Sequence, residues 1–156
     1  MPNQDILYIE QLHNLMKFKP YLLDVRTKKE YCEKHLCSAI NIETPIPPLK
    51  KQDLDLLQKK LIKLGITNKH SLIFVYCKKG IRANYAKNIL QKLGYVNVLS
   101  LGGITTEPLK SIIENKINSI DKKYIKLCDC KKSPVLYKNK TKNKTKNKTK
   151  HFLENF

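Results

Sequence analysis

The stretch from Leu72 to Arg82 constrains the fold of this chain more than any other part of its sequence. Five consecutive apolar residues, Leu72 to Tyr76, predict a strand that is buried on both faces. Apolar residues then recur at helical spacing, at Ala86, Ile89, Leu90 and Leu93. Cys77 therefore opens a short loop between a buried strand and a helix.

The loop that Cys77 opens is predicted to bind an anion. Successive backbone N–H groups can curl around one point in such a loop, and the first unpaired N–H groups of the helix face the same point. Lys78, Lys79 and Arg82 add positive charge. A thiol in these surroundings should be held as a thiolate, so Cys77 is a candidate nucleophile. The alternative is a small buried residue that ends a strand, a common position for a free cysteine.

Strands and helices alternate along the chain, which predicts an α/β fold with a mainly parallel sheet covered on both faces. The predicted strands are Ile6 to Ile9, Tyr21 to Val25, Ala39 to Ile42, Leu72 to Tyr76 and Val96 to Leu101. Ligands of such folds collect beyond the carboxyl ends of the strands. We therefore expect Asp24, Arg26 and Cys77 to lie at one edge of the sheet.

Helix boundaries follow from caps and turns. Thr27 and Glu30 form a capping box, which should start a helix at Lys28 that runs to about His35. Leucines from Leu54 to Leu64 mark the next helix, which Gly65 ends. Gly102 and Gly103 are predicted to turn the chain before a helix that begins near Thr106 and reaches Ile120.

Length and composition favour one domain without a membrane span. The 156 residues, 41% of them hydrophobic, suffice for a sizeable core. The longest apolar run is far shorter than the roughly 18 residues that cross a bilayer, and no secretion signal is recognisable at the N-terminus. The five cysteines show no paired spacing, which favours free thiols in a reducing compartment. A cytoplasmic monomer is therefore predicted.

The C-terminal region differs in composition from the rest of the chain. The net charge is +18, and residues 131–156 contribute nine lysines and one acid. Residues 138–150 repeat the tetrapeptide KNKT and contain no apolar side chain, which predicts disorder. We divide the chain into a domain at 1–120, a partly packed extension at 121–137 and a lysine-rich tail at 138–156. The tail would bind nucleic acid or an acidic partner weakly and without sequence preference, or it is only solvated.

Several of these segments together resemble the single-domain rhodaneses, the thiosulfate sulfurtransferase family. The matching segments are LDVR at 23–26 with Glu30 and Tyr31, His35 and Leu36 leading to SAINI at 38–42, VYCKKGIRA at 75–83, LGY at 93–95 and LGG at 101–103. Cys37 and Ser38 stand where the family often has Pro-Gly, and no aromatic residue follows Gly103. The order and spacing of the segments carry the resemblance.

The resemblance implies a rhodanese-like three-layer fold with a central five-stranded sheet, and a catalytic cysteine that carries a persulfide. Cys77 would take a sulfane sulfur from thiosulfate or a similar anion and give it to cyanide or a thiol, without a metal or cofactor. The six-residue loop from Cys77 to Arg82 suits sulfur, since related phosphatases need one residue more. Lys78, Lys79, Gly80, Ile81 and Arg82 would bind the donor, and the pair Asp24 and Arg26 would order the rim of the site.

Two other functions remain open at this point. A non-catalytic rhodanese-like module that binds a partner protein would have the same fold. A cysteine-dependent phosphatase or arsenate reductase is disfavoured by the short loop. Cys128 and Cys130 are expected to be free thiols; they could alternatively relay sulfur from Cys77 or supply half of a zinc site, which would need two more ligands.

Overall fold

The computed structural model of the chain describes residues 11–114, apart from 13 and 45, and residues 126–130. Residues 11, 12 and 14–16 are helical. The elements that follow are β1 (Tyr21–Asp24), α1 (Lys28–Glu33), β2 (His35–Leu36), β3 (Ile40–Asn41), α2 (Lys51–Lys63), β4 (Leu72–Cys77), α3 (Ile81–Lys92), β5 (Asn97–Gly103), α4 (Leu109–Ile113) and β6 (Leu127–Cys128).

The central sheet of the described residues has four parallel strands in the order β3-β1-β4-β5. β4 lies in the middle, with Leu23 of β1 opposite Val75 and Val98 of β5 opposite Ile73. A second, antiparallel pair joins β2 to β6, with His35 opposite Cys128. Since β4 is flanked on both sides, its carboxyl end, and with it Cys77, lies at the centre of the sheet edge.

Side chains of β4 alternate between two hydrophobic clusters, because successive residues of a strand point to opposite faces. Ile73, Val75 and Cys77 join a cluster with buried residues of α2 and α3. Phe74 and Tyr76 join another with buried residues of α1 and α4. Helices therefore cover both faces, and the predicted three-layer α/β fold is confirmed.

The predicted strands agree with the structure at their centres and differ at their ends. β5 continues through Gly102 and Gly103, so the prediction that these glycines form the turn is wrong. Four of the five predicted sheet strands are present; the fifth, Ile6 to Ile9, lies outside the described residues. α4 begins at Leu109, and the predicted continuation to Ile120 also lies outside them.

The capping box at α1 is confirmed. Thr27 Oγ1 accepts the Glu30 N–H at 3.2 Å, and the Glu30 carboxylate accepts the Thr27 N–H at 3.3 Å. The helix ends at Glu33 rather than near His35, since the residues that follow leave helical geometry to form β2. Pairing with β6 stabilises this short strand, and the local sequence carries no sign of a partner more than 90 residues away.

The prediction of free thiols is wrong for four of the five cysteines. Cys32 is bonded to Cys130 and Cys37 to Cys128, with Cα–Cα distances of 4.8 and 5.1 Å that are ordinary for disulfides. The partners are 98 and 91 residues apart, so spacing along the chain could not reveal them. These disulfides remove the main reason for predicting a reducing compartment. Of the five cysteines, Cys77 is the one that is free.

The described residues contain neither a membrane-spanning helix nor a cluster of metal-ligating side chains. None of their helices combines the length and the apolar character that a membrane crossing needs. None of their His, Cys, Asp and Glu side chains gather in threes as metal ligands would. The boundaries at 120 and 137 and the lysine-rich tail stay predictions, and residues 138–156 lie outside the part that the structure describes.

Candidate functional site

The sulfur of Cys77 faces the backbone of the loop that follows it. Cys77 is the last residue of β4 and is 1% exposed. Its Sγ accepts the N–H of Gly80 at 2.9 Å and the N–H of Ala83 at 3.3 Å. Two backbone donors therefore converge on the sulfur at the N-terminus of α3. The side chain thus packs beside the apolar cluster while its polar atom is bound by amides.

Glycine gives the loop its shape. Gly80 has a φ of 102°, in the left-handed region that glycine adopts at little cost, and it caps the N-terminus of α3. This conformation turns the Gly80 N–H towards Cys77. The predicted six-residue loop from Cys77 to Arg82 therefore ends inside the first turn of α3.

The end of β5 lies directly against the loop. A Cβ atom at Gly103 would overlap the Lys78 carbonyl and lie 2.6 Å from the Lys79 Cα. The chain after Gly103 binds the loop backbone: Ile104 N–H donates to the Cys77 carbonyl at 3.0 Å, and Thr105 donates to the Lys78 carbonyl through its N–H at 3.1 Å and its hydroxyl at 2.7 Å. The loop is thus fixed from outside as well as from the helix.

Arg82 is paired with a carboxylate. Its Nη1 and Nη2 donate to Glu30 Oε1 and Oε2 at 2.7 and 3.0 Å, and both side chains are about a quarter exposed. The hydrogen bonds from Arg82 lower the pKa of Glu30 to about 2, and those to Glu30 raise the pKa of Arg82. Glu30 therefore belongs to the surroundings of Cys77, although the sequence pattern indicated only its capping role.

Asp24 and Arg26 form a buried pair behind the loop. They are 0% and 4% exposed, and Arg26 Nη2 donates to Asp24 Oδ2 at 2.7 Å and to the Lys34 carbonyl. Tyr76 donates its hydroxyl hydrogen to Asp24 Oδ2 at 2.8 Å, and its hydroxyl accepts the Leu36 N–H at 2.9 Å. Burial and the neighbouring Asp24 raise the pKa of Tyr76. We call this closed set of bonds the Asp24 network.

The remaining predicted donor-binding residues lie at the surface. Lys78, Lys79 and Ile81 are exposed, and Ile81 is 64% exposed despite its apolar side chain. A cleft of about 420 Å³ reaches Arg82 from the side of Ile46 and α2.

His35 is buried and stacks on the Tyr31 ring at 3.8 Å, and burial lowers its pKa. A buried, stacked imidazole of this kind indicates a structural role for His35.

Sequence reasoning missed three contributors to the site. Tyr76 reads as one more apolar strand residue, and only the fold brings its hydroxyl to Asp24. Glu30 reads as a capping residue, and its second partner is 52 residues away. Gly103 reads as a turn residue, although its lack of a side chain admits the loop backbone. One of these contacts had a signal in the sequence. Glu30 and Arg82 carry opposite charges on two helices that begin at the same edge of the sheet, which favours an ion pair.

Comparison with known proteins identifies the fold family. The sequence profile of the rhodanese-like domain matches residues 8–106. The chain belongs to this family. The rhodanese-like match ends before Cys128 and Cys130, so the C-terminal cysteines lie outside it.

Two curated relatives of this rhodanese-like chain differ greatly in length. "Thiosulfate sulfurtransferase PspE" of Escherichia coli is 34% identical over 82 residues, which cover 53% of this chain and 68% of that protein. "Probable molybdopterin-synthase adenylyltransferase" of Porphyra purpurea is 34% identical over 132 residues, which cover 81% of this chain but 29% of that protein. Among solved structures, "rhodanese with anions from E. coli" is 29% identical with a TM-score of 0.44, over 55% of this chain and 88% of the other.

Proposed function

We propose that this rhodanese-like protein is a sulfurtransferase whose Cys77 carries a sulfane sulfur as a persulfide. The observation that carries the proposal is the position of the Cys77 sulfur, which accepts the N–H groups of Gly80 and Ala83 at the amino end of α3. The similarity to a thiosulfate sulfurtransferase over most of that protein's length supports the same class of reaction.

In the first half-reaction the Cys77 thiolate attacks the outer sulfur of thiosulfate. A new S–S bond forms between Sγ and that sulfur, the S–S bond of thiosulfate breaks, and sulfite leaves with the electron pair. The thiolate needs no general base, because it carries no proton to remove. The loop amides that bind Sγ would stabilise the negative charge as it moves to the outer sulfur of the persulfide.

In the second half-reaction an acceptor removes the outer sulfur. Cyanide or a thiolate attacks that sulfur, the persulfide S–S bond breaks, and Cys77 returns to the thiolate. The Gly80 and Ala83 amides would bind the Cys77 sulfur in the thiolate and in the persulfide, so the loop need not move between the two half-reactions. Contacts of the Cys77 and Lys78 carbonyls with Ile104 and Thr105 would keep it so.

We assign donor recognition to the loop cations and support to the buried pair. Lys78 and Lys79 are exposed beside Cys77 and would attract the sulfonate end of the donor. Arg82 is already bonded to Glu30, which suits a residue that adds charge from a fixed position. Asp24 and Arg26 are buried, which supports the role in ordering the rim of the site that the resemblance implies for them.

Thiocyanate formation from thiosulfate and cyanide tests the proposal. The wild type should produce thiocyanate, and Cys77→Ser should lose at least about a thousandfold in kcat, as nucleophile removal does elsewhere. Intact-mass analysis after thiosulfate treatment should find an increment of about 32 daltons, one sulfur atom, on the wild type alone. Equal activity of the two proteins would refute the assignment of Cys77.

The alternative functions give different results in the same experiment. A non-catalytic interaction module would be inert in both forms and would acquire no sulfur. Hydrolysis of an aryl phosphate that depends on Cys77 would indicate the phosphatase. Cytoplasmic location, a monomeric state and binding of nucleic acid or an acidic partner by the tail remain proposals that rest on composition.

A further inference from the structure

Two disulfides hold the same pair of segments together. Cys32 and Cys37 lie on either side of β2. Cys128 is the last residue of β6, and Cys130 follows two residues later. Backbone bonds add to the contact: Cys37 N–H donates to the Lys126 carbonyl at 2.8 Å, and Cys130 N–H donates to the Cys32 carbonyl at 3.3 Å. We call this unit, residues 32–37 with 126–130, the clasp.

Both disulfides are only partly buried, and Cys32 and Cys130 pack against the hydrophobic cluster of α1 and α4. All four of their cysteines are half-buried, whereas Cys77 is almost fully enclosed. β2 and β6 are paired over only two residues each, too little ladder to stabilise a strand pair by itself. The disulfides therefore supply much of what keeps residues 126–130 on β2.

The clasp contains two backbone groups of the Asp24 network. The Lys34 carbonyl accepts a hydrogen bond from Arg26, and the Leu36 N–H donates to the Tyr76 hydroxyl. Both groups belong to the segment between Cys32 and Cys37, and each end of this segment is held by one of the two disulfides. Tyr76 directly precedes Cys77 in β4. The backbone geometry of the clasp thus determines how the residue before the nucleophile is anchored.

The clasp also includes the end of α1, the helix that carries Glu30. Cys32 is two residues beyond Glu30, whose carboxylate holds the guanidinium of Arg82. When the Cys32–Cys130 bond is present, α1 is covalently tied to the residues that follow β6. Two separate hydrogen-bonded paths, through Tyr76 and through Arg82, therefore lead from the clasp to the Cys77 loop.

We propose that the clasp is a site of thiol–disulfide exchange that controls the Cys77 site, with a dithiol as its substrate. A thiolate of the dithiol attacks one clasp sulfur and breaks the protein S–S bond. Its second thiol then displaces the remaining clasp sulfur, which leaves a disulfide in the reductant and two protein thiols. Two dithiols, each giving two electrons, open the whole clasp. Opening frees β6 and loosens the Lys34 and Leu36 contacts that orient Arg26 and Tyr76.

Amide exchange of the full-length protein tests the proposal without any assay of turnover. Alkylation of the unfolded protein should modify one cysteine before and five after treatment with dithiothreitol. The Leu36 amide should then exchange on the order of tenfold faster in the reduced protein. The Tyr95 amide, which donates to the Leu90 carbonyl in the other cluster, is the control and should keep its rate. An unchanged Leu36 rate in fully reduced protein, or five reactive thiols at the outset, would overturn the proposal.

A kinetic comparison links the clasp to turnover and rests on the proposed function. Reduced, desalted wild type should have roughly a fivefold lower kcat/KM for thiocyanate formation than the oxidised protein, within the range of couplings between contacting groups. Reoxidation should restore it. A variant with serine at Cys32, Cys37, Cys128 and Cys130 should match the reduced wild type and not respond to dithiothreitol, with Tyr95 protection as the check of folding.

Two outcomes separate this inference from the proposed function. If no form produces thiocyanate while the Leu36 amide responds to reduction, the sulfurtransferase proposal fails and the exchange site stands. If oxidised and reduced wild type have the same kcat/KM, control of the Cys77 site by the clasp is refuted even though Cys77 remains the nucleophile.

Discussion

At the scale of single residues, Glu30 joins a local and a distant task. Its carboxylate accepts the Thr27 N–H that starts α1, and it binds Arg82 across to α3. The capping box could be predicted from four consecutive residues. The ion pair could not, because it needs the relative placement of two helices that only the sheet determines.

Replacement of Glu30 should change both activity and acid stability. Glu30→Gln removes the charge that orients Arg82 and should lower kcat/KM for thiosulfate by about tenfold, as loss of positioning does. Glu33→Gln, on the exposed side of the same helix, should leave it unchanged. Equal rates for the two variants would mean that Arg82 does not depend on its partner.

The lowered pKa of Glu30 fixes the direction of the acid effect. Since its folded-state pKa is about 2 against 4.5 ordinarily, the unfolded chain takes up the proton first as pH falls. The stabilisation by the pair is complete above pH 4.5 and is lost towards pH 2, by about 1 kcal/mol after solvent screening. Urea unfolding at both ends of this range should show a smaller loss for Glu30→Gln than for the wild type.

The loop lysines should act on donor binding rather than on folding. Replacing Lys78 and Lys79 by alanine removes two exposed charges beside Cys77, and KM for the thiosulfate dianion should rise about threefold to tenfold at low salt. Lys92→Ala removes an equally exposed charge from the far end of α3 and should have no effect. Steady-state kinetics at two salt concentrations would measure this change in KM. An unchanged KM would mean that these lysines do not take part in donor binding.

At the scale of elements, the site is a contact between two strand ends and a helix start. The sequence predicted the strand, loop and helix around Cys77, because apolar runs, helical spacing and glycine act locally. It did not predict that β5 continues to Gly103 and supports the loop. A pair of glycines indicates a turn and a close backbone approach equally well, and only the neighbouring strand distinguishes them.

A methyl group at Gly103 should disrupt the loop. Gly103→Ala places Cβ against the Lys78 carbonyl, which should reduce the free energy of unfolding by about 1–3 kcal/mol and turnover by at least about tenfold. Gly94→Ala is the matched control: its φ of 99° costs about 1–2 kcal/mol, but its nearest contacts belong to Lys69. Urea unfolding should find both variants weakened, and a full kcat for Gly103→Ala would contradict the proposed contact.

At the scale of the whole molecule, the parallel sheet and its two helical layers followed from the alternation of patterns, and the convergence of Asp24, Arg26 and Cys77 on one edge followed from topology. The disulfides did not. Pairing of Cys32 and Cys37 with residues near 130 depends on the return of the chain to β2, which no local pattern encodes. Cystine bonds that close loops of this length typically contribute about 2–5 kcal/mol.

The lysine-rich tail should act independently of the rhodanese-like domain. Deletion of residues 133–156 removes seven lysines and one acid, a third of the net charge of +18, and should leave kcat unchanged while shortening retention on a polyanion column at moderate salt. A variant with every tail lysine replaced by glutamine keeps the length and should behave as the deletion does. Lost turnover in both proteins would make the tail part of the catalytic unit.

The contacts of Ile104 and Thr105 with the loop backbone have a consequence for the heat of substrate binding. Because the loop around the Cys77 sulfur is already held in place before any donor arrives, binding need not order a segment of chain. Calorimetry of a non-reacting anion should therefore find a heat-capacity change close to zero, unlike that of a protein that folds around its ligand.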